Sequence, residues 1–224
     1  DKRQTFVMEI YNFSTYNSIY NQFLSELRNV DVQNDRMRFR RNLQRLGELT
    51  AYEISKTIDC NTVNIKTPLG TAPTLLPSEQ PVLATILRAG LPLQQGLLNY
   101  FDKADNCYIS AYRNHSTKEK FDVEIEYLAS PNVSNKVVVL NDPMLASGKS
   151  MVLAYKALLK KGVPKKIHVV CVIASQEGVD FIAKHFPENT SLWVGAIDSE
   201  MTKESYIVPG LGDAGDLAFG SKED

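Results

Sequence analysis

Phe39, Leu43, Leu46, Leu49 and Tyr52 recur at three- and four-residue steps and make one apolar stripe, so residues 36–58 are predicted to form a helix. Residues 14–28 are expected to form another. The stretch 59–80 is rich in Thr, Asn and Pro and is expected to be a loop or short hairpin. From residue 81 the pattern changes. Residues 81–87, 107–112, 136–140, 167–173 and 191–197 are short apolar runs rich in β-branched and aromatic residues. Helical stretches lie between them at 91–101, 150–161 (closed by Gly162) and 178–186. Near-continuous apolar strands alternating with helices predict an α/β fold with a parallel sheet covered on both faces. Residues 122–128 alternate polar with apolar positions and read as an edge or flap strand.

In such sheets ligands bind beyond the carboxyl ends of the strands. The loops after Leu87, Tyr112, Leu140 and Ile197 are therefore the places to look. The first holds Arg88-Ala89-Gly90, and the second holds Arg113-Asn114. The third reads NDPMLASGKS, and the fourth reads DSEMTKESYIVPGLGDAGD. Arginine forks match phosphate oxygens. Backbone N–H groups from Ala146 to Ser150, at the start of a helix, offer an anion cradle. Asp142 among anion binders suits a sugar hydroxyl or a metal. Each feature alone is more often a surface charge or a turn. Four of them on one predicted edge point to a phosphate-ester ligand.

The third loop ends like a P-loop but is not one. That pattern requires a glycine five residues before Gly148, and Pro143 stands there with no N–H to offer. A P-loop nucleoside kinase is thereby disfavoured.

Composition narrows the partners. The 224 residues suit one domain, 1–224, and 25 basic against 26 acidic residues leave a net charge of −1. That balance gives no overall drive toward nucleic acid or a membrane surface. No apolar run approaches the roughly 20 residues of a membrane helix, and Asp1-Lys2-Arg3-Gln4 leads into no signal-peptide core. Cys60, Cys107 and Cys171 are scattered, two of them in apolar runs, which points to buried free thiols and a cytoplasmic location. The cluster Arg36, Arg38, Arg40, Arg41 and Arg45 is expected to be a solvated or subunit-facing surface.

Asp142-Pro143-Met144-Leu145-Ala146-Ser147-Gly148-Lys149-Ser150 resembles the phosphoribosyl-pyrophosphate (PRPP) motif of the uracil phosphoribosyltransferases, Asp-Pro-Met-Leu-Ala-Thr-Gly-Gly-Ser. ILRAGLP (86–92) and YRN (112–114) resemble that family's two pyrophosphate-side arginine segments. YIVPGLGDAGD (206–216) resembles its uracil-recognition loop almost letter for letter. The likeness runs from about Arg38 to Phe219 and leaves residues 1–35 as an unmatched N-terminal extension.

The resemblance implies a type I phosphoribosyltransferase fold, a central parallel sheet flanked by helices, with residues 198–219 as a small hood. It implies transfer of the 5-phosphoribosyl group from PRPP to uracil, giving UMP and pyrophosphate in pyrimidine salvage. Pro143, Met144 and Leu145 would complete the PRPP loop, and Ala146 to Ser150 would hold the 5′-phosphate. Asp142 would meet the ribose hydroxyls. Arg88 and Arg113 would stabilise the leaving pyrophosphate, with Mg²⁺ brought in by PRPP and Asp213 near the ribose or the metal. The backbone of Ile207 and Gly212, together with Ala214, would read uracil, with Tyr206 shaping the wall.

The sequence departs from the family pattern: Ser147 stands for Thr, and Leu217 replaces a basic residue after Asp216. Lys149 replaces a glycine, which would cost about 1–2 kcal/mol if φ were positive there. Ser205 replaces another glycine, and SQEG (175–178) stands for Ala-Pro-Glu-Gly. GTP, which activates some relatives, is a candidate activator, and a homo-oligomer, dimer or tetramer, is expected. The apolar FVMEIY (residues 6–11) would suit its interface. The rival reading is a pyrimidine-nucleotide-sensing RNA regulator on the same scaffold, with the Arg36 to Arg45 helix facing RNA.

Overall fold

The computed structural model describes residues 8–114 and 122–222. Along the chain, β1 (Glu9–Asn12) leads through one 3-10 turn to α1 (Ile19–Arg28) and α2 (Arg36–Ser55). A hairpin of β2 (Cys60–Thr67) and β3 (Gly70–Pro77) follows. Next come β4 (Val82–Leu87), α3 (Gly90–Tyr100), β5 (Asn106–Asn114) and β6 (Asp122–Ala129). After these come β7 (Val137–Asn141), β8 (Met144–Leu145), α4 (Lys149–Leu159), β9 (Lys166–Ser175), α5 (Gln176–His185) and β10 (Thr190–Asp198). Two short strands, β11 (Glu200–Met201) and β12 (Ile207–Val208), precede α6 (Ala214–Phe219).

Eight strands make the main sheet in the order β1-β10-β9-β7-β4-β5-β6, with β8 beside β9. Every pairing is parallel except that of β5 with β6, the expected edge strand. The α/β architecture with helices on both faces is thus as the apolar runs predict. Period-two alternation splits each central strand between two cores. Val139, Val170 and Val172 point to one face, under Leu27, Phe39, Leu43, Leu46, Leu93 and Leu97 of α1 to α3. Val138, Leu140, Val169 and Cys171 point to the other, under Met151, Leu158 and Ile182 of α4 and α5. Cys107 and Cys171 are buried free thiols, whereas Cys60 is exposed. No helix among the described residues is long and apolar enough to cross a membrane.

The N-terminal part differs from expectation. The predicted helix 14–28 starts only at Ile19, because Asn12 accepts the Ser14 N–H (3.1 Å) in a tight turn. Before that turn β1 lies along β10 as a parallel edge strand, from Glu9 opposite Ser191 to Asn12 opposite Val194. Of the FVMEIY segment, Glu9, Ile10 and Tyr11 pair with β10, with Ile10 exposed, and Phe6 and Val7 lie outside the described residues. Tyr11 stacks on Trp193 at 3.9 Å, and the Trp193 indole donates to His168 Nδ1 at 3.0 Å. Burial pushes the His168 pKa down to about 4, so its ring stays neutral and accepts. Residues 60–77 form two eight-residue strands, a longer hairpin than expected, and it stands away from the main sheet.

Among the arginines of α2, Arg36, Arg38 and Arg41 are exposed, and Arg40 and Arg45 pack on their own chain. Arg40 donates to the Ala218 carbonyl at 2.7 Å, and Arg45 lies over the Phe23 ring. Arg38 and Arg41 pair with Glu26 and Glu48.

At the sheet centre Asn141 is fully buried. Its amide donates to the Ala84 carbonyl (2.9 Å) and Gln94 Oε1 (2.6 Å), and its oxygen accepts from Thr85 Oγ1 (2.9 Å). Gln94 donates onward to the Leu83 carbonyl at 3.0 Å. This knot joins β4, β7 and α3 immediately before Asp142. Asn141→Ala strands those partners in the dry interior and is expected to cost about 2–4 kcal/mol in urea unfolding. A loss below about 1 kcal/mol would mean that water or neighbouring groups replace the amide.

Candidate active site

β7 delivers Asp142 to the carboxyl edge of the sheet, and the chain then makes a short excursion before α4. Pro143 and Leu145 are anchored from behind. The Pro143 carbonyl accepts from Val172 N–H (2.9 Å) and Ile173 N–H (3.0 Å), while Leu145 is buried opposite Ala174. Ser175 Oγ donates to the Ala146 carbonyl at 2.6 Å and accepts the Gly178 N–H at 2.8 Å. Pro143, Met144 and Leu145 thus belong to the scaffold of the loop, and Ser147 to Ser150 form its open lip.

At that lip Gly148 takes φ +78° and serves as the N-cap of α4, with no side chain capping the end. Lys149 is the first helical residue and avoids positive φ. The conformational demand falls on Gly148 alone, so lysine at 149 carries no left-handed penalty. A helix start with its first N–H groups uncovered attracts anions, and the exposed Lys149 adds positive charge beside it. Ser205, in contrast, does sit at φ +67°, where the family's glycine would rest without strain.

Asp142 accepts the Met144 N–H at 3.1 Å, which favours its charged form. Burial works the other way and dominates, and the charge of Asp213 adds to it, so the carboxyl is pushed up to about 7. Asp213 caps α6 by accepting the Asp216 N–H at 2.9 Å. Arg88, directly after β4, donates to Asp216 (3.2 Å) and to the Gly220 carbonyl (3.1 Å). Arg88, Asp142 and Asp213, which are far apart in sequence, therefore converge on one edge.

The segment after β10 folds back over that edge. β12 pairs with β11, with Ile207 opposite Met201, and Ile207 is buried. Tyr206 is exposed, Gly212 is exposed at φ +92°, and Ala214 is buried at the start of α6. Arg113 was expected in a loop but lies within β5, where its backbone faces Val123 of β6. The strand simply runs further than its apolar core suggests.

Several supports of this site are not evident in the sequence. Arg28 of α1 forms a two-pronged pair with Asp198 (2.8 and 2.9 Å) and donates to the Gly210 carbonyl at 3.0 Å. Gln33 donates to the Leu211 carbonyl at 3.0 Å. Arg28 and Gln33 lie before residue 36, ahead of the motifs quoted from the sequence, and no local motif marks them. Only the acid that ends β10 gives a hint.

The Asp142 carboxyl sets a pH dependence. Between its ordinary value of 3.8 and about 7 the folded chain keeps a proton that the unfolded chain has lost. Stability from this group is therefore present at low pH and is lost as pH rises through that window. Asp142 as a whole residue is half-buried, so Asp142→Asn is expected to gain only about 1–2 kcal/mol at pH 8, shrinking toward zero near pH 4. Urea titrations at both pH values check this, and equal effects at the two would refute it.

The uracil phosphoribosyltransferase family matches residues 15–221 of this sequence. Uracil phosphoribosyltransferase from Porphyromonas gingivalis is 54% identical over 215 residues, covering 96% of this chain and all of the relative. The enzyme of the same name from Methanococcus vannielii is 40% identical over 200 residues, covering 88% and 84%. Among solved structures, the AQ2163 protein from Aquifex aeolicus superposes with a TM-score of 0.83 at 29% identity, covering 94% of this chain and 98% of that one. With the PRPP-like loop, the convergent acids and arginine, and the covering segment in place, these matches establish that the chain belongs to the uracil phosphoribosyltransferase family.

Proposed function

We propose that the chain transfers the 5-phosphoribosyl group from PRPP to uracil, forming UMP and pyrophosphate. The observation that carries this reading is the uncapped start of α4, with Asp142 in the same loop and Arg88 paired to Asp216 at the same edge. The N–H groups at Gly148 to Ser150 hold the 5′-phosphate, helped by the helix dipole and Lys149. Ser147 and Ser150 add hydroxyl donors. Asp142 accepts hydrogen bonds from the ribose hydroxyls, neutral donors that suit a carboxylate. Arg88 and Arg113 stabilise the negative charge that grows on pyrophosphate as the glycosidic bond loosens.

Mg²⁺ fits this donor set as a partner of the substrate. Among the described residues no three His, Cys, Asp or Glu side chains are grouped so as to hold a metal ion. Asp142 and Asp213 feel each other's charge, which favours a cation that arrives already coordinated by pyrophosphate oxygens. Bound there, Mg²⁺ would neutralise leaving-group charge. Uracil meets the backbone of Ile207 and Gly212 and the start of α6 at Ala214, with Tyr206 at the wall. Donors and acceptors fixed for an imide edge would face donor with donor against the amino group of cytosine, leaving buried groups unpaired.

Pyrophosphate release is measured with PRPP and Mg²⁺ against uracil, cytosine, adenine and hypoxanthine, with and without GTP. Release with uracil alone, accompanied by UMP, is the expected result; release with a purine would overturn the base assignment. A faster rate with GTP supports the activator reading, and an unchanged rate removes it. In the same assay Lys149→Gly is expected to raise the KM for PRPP about three- to tenfold, with little change for uracil. A lower KM for PRPP would show that the lysine obstructs the phosphate.

A further inference from the structure

The stretch Gly210-Leu211 is held almost entirely from outside its own loop. Its polar groups are taken as follows. The Gly210 N–H donates to Asp198 Oδ2 at 2.9 Å, the Gly210 carbonyl accepts from Arg28 Nη1 at 3.0 Å, and the Leu211 carbonyl accepts from Gln33 Nε2 at 3.0 Å. Asp198 closes the circuit by pairing with both terminal nitrogens of Arg28. Gly210 adopts φ +54°, and a side chain there would collide with the Ile207 carbonyl. Gly210, bent back on the backbone of Ile207, is thus held at both its N–H and its carbonyl by one linked acid–arginine pair.

The ion pair is largely out of water, with 24% of the Arg28 side chain and 8% of that of Asp198 exposed. A buried pair adds little net stability once desolvation is counted. Its planar two-pronged geometry fixes direction. What it directs is the turn between Ile207 and Gly212, the two positions whose backbone reads the base.

We infer that Arg28, acting through Asp198 and the Gly210 peptide, is a positioning residue for the base pocket, and that α1 is a working part of uracil recognition. The inference rests on the assignment of segment 206–214 to uracil. Among the described residues the hydrogen bonds of Arg28 go to Asp198 and the Gly210 carbonyl, and none goes to the PRPP loop. Loosening it therefore disturbs one substrate and spares the other, which a general packing defect would not do.

The test is steady-state kinetics of the full chain, with each substrate varied at saturation of the other, alongside thermal unfolding of every variant. Arg28→Met is expected to raise the KM for uracil about tenfold while that for PRPP stays within about twofold. Arg28→Lys keeps the charge but not the fork, and is expected to fall between the two. The double variant Arg28→Met with Asp198→Asn should be no worse for uracil than Arg28→Met alone, because both changes break the same link. Should Arg28→Met fail to fold, Arg28→Lys decides the matter on its own. An unchanged uracil KM, or equal rises for both substrates tracking a lowered melting temperature, overturns the inference while leaving the function intact. A parent chain that releases no pyrophosphate with uracil removes the functional reading, and this inference falls with it.

Discussion

The buried amide of Asn141 is the constraint on which the site depends. It makes three bonds, two to Ala84 and Thr85 of β4 and one to Gln94 of α3, inside a sheet otherwise lined with valine, leucine and isoleucine. An apolar core of that kind tolerates small slips, whereas a fully satisfied polar knot defines one register. Asp142 follows it directly and Arg88 ends the strand beside it. The acid and the arginine inherit their relative placement from a network that touches neither.

From that fixed edge outward, the chemistry shifts from side chains to backbone. In the proposed reading, the phosphate cradle is made chiefly of N–H groups at the start of α4, and the base reader of peptide groups around Ile207 and Gly212. Such surfaces specify φ and ψ more than residue identity, so substitution is tolerated wherever the backbone is undemanding. Lys149 occupies a family glycine position without strain because its neighbour Gly148 bears the left-handed turn. Ser205 shows the opposite case and sits in the strained region itself.

Legibility in the sequence followed the length of each signal. β4, β7, β9 and β10 are continuous apolar runs buried on both faces, and pattern alone marks them. β1, β8, β11 and β12 have two to four residues, too few for any periodicity to emerge, and gain their identity only from a partner strand. Among the candidate ligands, Asp142 and the loop after it could be read because chemistry and chain order coincide there. Arg28 could not. Its partner lies 170 positions away, and an arginine at the end of an amphipathic helix reads as solvent-facing until the fold turns it inward.

The edge of the sheet carries its own optical signal. Trp193 is the chain's single tryptophan, stacked on Tyr11 of β1 and bonded through its indole nitrogen to a neutral histidine. Its emission therefore reports on the docking of the first strand. Peeling that strand away would expose the indole face to water and shift the fluorescence to the red, with no dye attached and little interference from the distant substrate pocket.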